Sequence, residues 1–125
     1  MVLNNLAYVM ALAGRRDRPV ELVREAETLL GPTADLIDTE GFVRYTRGEL
    51  DQAIERYEEA IRSGTETSHK LFHLALALDK KGETDTARER WQRAAELKLS
   101  KYQLPVALHS EFERMQTIYG NVEQL

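Results

Sequence analysis

Residues 48–60 read GELDQAIERYEEA and residues 82–94 read GETDTARERWQRA. Laid one on the other, they share a leading glycine (Gly48, Gly82), an alanine (Ala53, Ala87), a large ring (Tyr57, Trp91) and a second alanine (Ala60, Ala94). The interval is 34 residues, and it runs backwards through the chain. Gly14 precedes Gly48 by the same distance, Ala26 precedes Ala60, and Leu3, Ile37 and Leu71 form another series. Glycine just past an apolar-periodic segment suits the left-handed residue that ends a helix. A period of 34 made of two helices and two short turns is a helical repeat. Small residues at Ala7, Gly41 and Ala75 mark close helix crossings, and the rings of Tyr57 and Trp91 fill the space beside them. One such pair cannot cover its own apolar face, whereas stacked pairs bury a continuous core.

Outside these stretches the chain keeps the same grammar. Apolar residues recur at three- and four-residue spacing, no long run alternates apolar with polar, and no Asn-Gly or Asp-Gly hairpin occurs. Breaks at 14–18, 31–33, 47–48, 64–67, 82–84 and 98–101 leave about seven helical segments: 3–13, 19–30, 35–47, 50–63, 68–81, 84–97 and 103–119. The fold class this predicts is all-α, a right-handed solenoid of antiparallel helix pairs in a single domain, 1–125. Its repeats fall at about 2–33, 34–67 and 68–101, followed by a capping helix at about 102–119 and a short tail, 120–125.

Composition narrows the function classes. With 125 residues, 42% hydrophobic and 30% charged, the chain is of ordinary globular make-up. The absence of Cys removes thiol chemistry and Cys-ligated zinc, and fits a cytoplasmic location. The 17 Lys and Arg against 21 Asp and Glu leave no basic footprint for nucleic acid. No apolar run approaches a membrane span, and residues 1–14 lack the positive charge of a signal peptide. No phosphate-cradling loop, His-Glu-x-x-His or nucleophile elbow occurs, so no enzyme, cofactor or metal is expected. The Arg15, Arg16, Arg18 cluster is short and sits at a turn, where it reads as solvated surface.

The second repeat (Gly41, Gly48, Ala53, Tyr57, Ala60, Ile61) and the third (Leu74, Ala75, Gly82, Ala87, Trp91, Ala94) together resemble the tetratricopeptide repeat. The first carries Leu6, Ala7, Gly14 and Ala26, but Pro19 stands where an alanine is expected. Either Pro19 lies in the first turn of its helix, where a missing N–H is harmless, or the register slips and Val20 takes the place. The resemblance covers about residues 2–99. It implies a concave groove lined by the first helix of each pair, taking a peptide or helix of a partner protein. The groove positions it implies are Asn4, Asn5 and Tyr8 in the first repeat, and Asp35, Asp38, Thr39, Phe42, Tyr45 and Thr46 in the second. In the third they are His69, Phe72, His73, Leu76, Asp79 and Lys80. Helical spacing independently puts Asp38, Phe42 and Tyr45 on one face, and His69, Phe72, His73 and Leu76 on another. Exposed rings beside polar groups have hot-spot composition; the alternative is that Phe42, Tyr45 and Phe72 pack between neighbouring first helices. The carboxylate clamp of some relatives has no full-time cation at the matching positions here, Asn4, Tyr8, Thr39, His69 and His73.

Three further features stay open at this level. His69 and His73, at i and i+4, allow a metal with Asp38, a pH-sensitive patch, or two wet polar residues. Glu40 and Arg44 stand where apolar residues are usual, either as a pair at the core's edge or as a contact kept for another module. The face of the first helix around Leu3 has no preceding element to cover it. It is either one end of a longer array or a surface that pairs with a second copy as a homodimer.

Overall fold

The computed structural model describes residues 2–122, with side chains from Asn5 onward. The expectations for Leu3, Asn4 and the end of the tail lie outside the described side chains. Among the described residues seven α-helices follow one another: α1 (Val2–Leu12), α2 (Asp17–Leu30), α3 (Ala34–Thr46), α4 (Leu50–Ser63), α5 (Ser68–Lys81), α6 (Thr84–Glu96) and α7 (His109–Tyr119). Among the described residues there is no strand, and no helix is long and apolar enough to cross a membrane. The chain divides into two compact units, Met1–Thr65 and Glu66–Leu125.

The punctuation works as the periodicity predicts. Gly14, Gly48 and Gly82 have φ of 82°, 80° and 94°. Each closes a first helix with the same pair of turn bonds; at Gly48, the Gly48 N–H donates to the Tyr45 carbonyl and Glu49 N–H to the Arg44 carbonyl, both at 3.0 Å. First helices α3 and α5 start on threonines that are again 34 apart. The Thr33 hydroxyl accepts from the Leu36 N–H at 3.2 Å and the Thr67 hydroxyl from the Lys70 N–H at 3.4 Å. Each removes an orphan donor of the first turn.

In the first unit, α1 packs on α2, α3 on α4, and α3 also lies against α1 and α2. The second helices bury one stripe each, Pro19, Leu22, Val23 and Ala26 on α2 and Ala53, Tyr57 and Ala60 on α4. Pro19 therefore occupies the small-residue position of the repeat within the first turn of α2, and the register does not slip to Val20. Gly41 on α3 packs tightly against α4. A Cβ there would stand 2.7 and 2.8 Å from the Tyr57 ring and 3.3 Å from the Ala53 carbonyl oxygen.

The second unit pairs α5 with α6 and adds α7. Here the capping helix corrects the sequence reading: α7 starts at His109, not at 102. Residues 101–108 form two 3₁₀ turns, Lys101–Gln103 and Val106–Leu108, interrupted by extended backbone at Leu104 and Pro105. Proline lacks the N–H a helix needs and forces its predecessor out of helical conformation. Leu104 accordingly has φ −107° and ψ 150°.

Candidate interaction surface

In the first unit the predicted groove residues gather where α1 meets α3. The rings of Tyr8 and Phe42 lie 4.6 Å apart between centroids, and Phe42 and Tyr45 are 6.0 Å apart. The three form a short series, because Phe42 and Tyr45 are three residues apart on α3 and α1 brings Tyr8 over from the other side. Phe42 is buried, whereas Tyr8 and Tyr45 are half-buried and Asn5 is exposed. Asp38 is buried one turn before Phe42. Burial, and then the negative charge of Asp38, push the Tyr8 phenol well above its usual range. The same two causes, in the same order, act on the fully buried Tyr57. Both phenols therefore stay neutral beside the Asp38 carboxyl, and the face offers two half-buried rings over a buried phenyl floor.

The second unit treats its matching residues differently. On α5, residues 70–78 are all buried. Phe72 packs in a cluster with Trp91 and Phe112, 6.2 and 6.3 Å away, and Trp91 and Phe112 are 5.5 Å apart. Phe72, His73 and Leu76, predicted as groove contacts, are thus inaccessible to a partner, as is Phe42 beyond its role as a floor. For Phe72 the physical reason is α7, which places Phe112 against it. His69 and Lys80 are exposed. His69 Nδ1 lies 3.2 Å from the Thr67 hydroxyl, and its ring meets His73 edge-on at 6.0 Å. Among the described residues no group of three or more His, Asp or Glu side chains gathers as a metal site would require.

Asp79 serves as an anchor for α7. Tyr119 donates its hydroxyl to Asp79 Oδ1 at 2.6 Å, and Arg114 Nη2 donates to Asp79 Oδ2 at 2.8 Å. Burial, reinforced by that carboxylate, pushes the Tyr119 phenol up to about 12. The Trp91 indole N–H reaches the Gly120 carbonyl at 2.9 Å and holds the far end of the same helix. A cleft of about 510 Å³ opens between the end of α6, the first 3₁₀ turn and α7, with Leu99, Tyr102, Phe112 and Gln116 in its lining. Sequence reading missed it, because its walls come from the segment read as continuous helix.

Glu40 and Arg44 are both half-buried. Arg44 makes its close bond, 2.9 Å, to Glu49 and lies 3.8 Å from Glu40. Glu40 is also 3.9 Å from Arg56, whose nearer partner is Glu59 at 2.9 Å. The pair expected from i, i+4 spacing is therefore one edge of a wider network joining α3, α4 and the turn between them. Burial, then the neighbouring Glu27 charge, raise the Glu40 carboxyl above its ordinary value despite Arg56 and Arg44.

Scanned against models of known protein families the chain matches none of them, and no curated protein sequence matches it.

Proposed function

We propose that the chain is a non-catalytic, cytoplasmic protein-binding module, built of helix pairs of the tetratricopeptide type stacked as a right-handed superhelix. It takes a helical or extended segment of a partner protein on the first-helix face. The observation that carries the reading is the Tyr8–Phe42–Tyr45 series, with a buried phenyl floor and two half-buried rings. Aromatic rings with a polar tip bury much area at little entropic cost, which suits them to anchor a docked segment. Asn5 lies at the edge of this face and supplies an amide to orient the segment's backbone. The 34-residue repeat supports the same reading, since such arrays present their first helices as a binding surface.

The test is an affinity capture from lysate comparing the native chain with a Tyr8→Ala, Tyr45→Ala variant and with Arg62→Ala on exposed α4 surface. Phe42 and Phe72 are left intact because they belong to the core. A partner kept by the native chain and by Arg62→Ala, but lost by the tyrosine variant with its melting curve unchanged, supports the reading. Equal retention by all three refutes it.

A further inference from the structure

The cleft between the end of α6, the first 3₁₀ turn and α7 measures about 510 Å³, within the range of ~300–1,000 Å³ that holds a small organic ligand. Part of its wall is apolar: Leu99 and Phe112 line it and are buried, and the Tyr102 ring lines it and is 86% exposed. Among the described residues its charged side chains are Lys98, Lys101 and Glu113. Lys101 and Glu113 neutralise one another through a bond of 2.8 Å. Among the described residues the Lys98 ammonium has no acid within ion-pair distance. The cleft therefore carries one uncompensated positive charge in a chain whose net charge is −4. Hydrogen-bond donors add to it. The Ser100 hydroxyl accepts from the Tyr102 N–H at 3.3 Å and gives its own proton to no described residue. The Gln116 side-chain carbonyl accepts from the Val122 N–H at 3.4 Å, which leaves its amide protons for a guest.

Lys98 also holds its place at a cost. Among the described residues it alone, glycines apart, has a positive φ, 66°. Glycine would take that backbone without strain. The lysine side chain is not needed to close α6, because the Arg93, Ala94 and Ala95 carbonyls already accept from the Leu97, Leu99 and Lys98 N–H groups at 3.0–3.1 Å. Residues held in sparsely populated backbone regions cluster at ligand clamps. We infer that this cleft binds a small organic anion, a carboxylate or phosphate group carried on an apolar body. The Lys98 ammonium, the Ser100 hydroxyl and the Gln116 amide donate to the anionic oxygens, while Leu99, Phe112 and Tyr102 take the body. Donors without acceptors, one of them a full charge, select an anion, since bonds to ionised groups are about twice as strong as neutral ones. This site is separate from the Tyr8–Phe42–Tyr45 face, and neither depends on the other.

Proton–nitrogen correlation NMR of the 125-residue chain, titrated with phenylacetate, phenyl phosphate and uncharged phenylacetamide, tests the inference. At least one anion should shift the amide signals of Leu99, Ser100 and Gln116 saturably, and the tighter of the two tells carboxylate from phosphate. Phenylacetamide should bind about tenfold more weakly, the loss of a charge-assisted bond. Anion affinity should also fall as salt rises. Lys98→Gly removes the ammonium and relieves the backbone, so it should keep the fold, weaken the anions about tenfold and leave phenylacetamide unchanged. Glu113→Gln, at an exposed position, removes the competing acid and should tighten the anions. The inference is overturned if neither anion gives saturable shifts, if anions and phenylacetamide bind alike, or if Lys98→Gly binds the anions as the native chain does. It is equally overturned if an acetylated Asp-Glu dipeptide shifts these signals and the two small anions do not, which would make the cleft a peptide site.

Discussion

Gly41→Ala is the substitution that best tests how the first unit is packed. Glycine inside a helix is ordinarily a weakness, and alanine at an unhindered site would gain about 1 kcal/mol. At Gly41 the added Cβ would stand 2.7 and 2.8 Å from two atoms of the Tyr57 ring. Carbon atoms settle near ~3.5–4.0 Å, so relief needs a displacement of about 1 Å. The ring is fully buried and cannot swing outward, and the Ala53 carbonyl oxygen at 3.3 Å blocks the other side. The helices α3 and α4 must therefore move apart, at a cost of about 3 kcal/mol, the upper end for overpacked cores. Against the propensity gain, the net loss is about 2 kcal/mol. For a unit of this size that lowers Tm by roughly 8–16 °C. The assay is urea and thermal unfolding followed by circular dichroism at the helical band. Repeating the substitution in a Tyr57→Leu background, which removes the ring edge, should turn the loss into a gain of up to about 1 kcal/mol. If Gly41→Ala alone raised stability, the close crossing at Tyr57 would be refuted.

Four other outcomes follow from the same geometry. Lys98 has φ 66° and ends α6 with the turn bonds that glycine makes elsewhere; Lys98→Gly should raise stability by about 0.5 kcal/mol and Lys98→Val lower it by about 1 kcal/mol in urea titrations. Asp79→Asn should cost about 1–3 kcal/mol, because it weakens two bonds that hold α7. The Tyr119 phenol, raised from 10.0 to about 12, favours folding fully below pH 10, and that contribution is lost as pH climbs through about 12. Fluorescence of Trp91 should report this alkaline release of α7, and Tyr119→Phe should abolish the step. Glu40 has its carboxyl raised above 4.5, so its charge opposes folding at neutral pH and the penalty fades as pH falls toward 4.5. Glu40→Gln should therefore be neutral or stabilising by up to about 1 kcal/mol at pH 7, with the difference vanishing near pH 4.5 in paired melts.

The sequence by itself determined the helices and their order. Glycine at 14, 48 and 82 can take a left-handed backbone that other residues resist, and small residues at 7, 41 and 75 permit close crossings. Both are local steric facts, visible wherever the residue is written. The threonine caps at 33 and 67 were equally legible, since they too repeat at 34. Pro105 was as plain a signal against a continuous helix from 102, overlooked because the apolar spacing of the segment runs across it. Only the tertiary structure decided which of these side chains are buried. Tyr8, Phe42 and Tyr45 come together because α1 lies against α3. Phe72 is buried because α7 folds back to place Phe112 on it, and Asp79 holds Tyr119, 40 residues away in the chain. Periodicity states which face of a helix a residue occupies; whether that face meets water depends on elements brought to it from elsewhere in the chain.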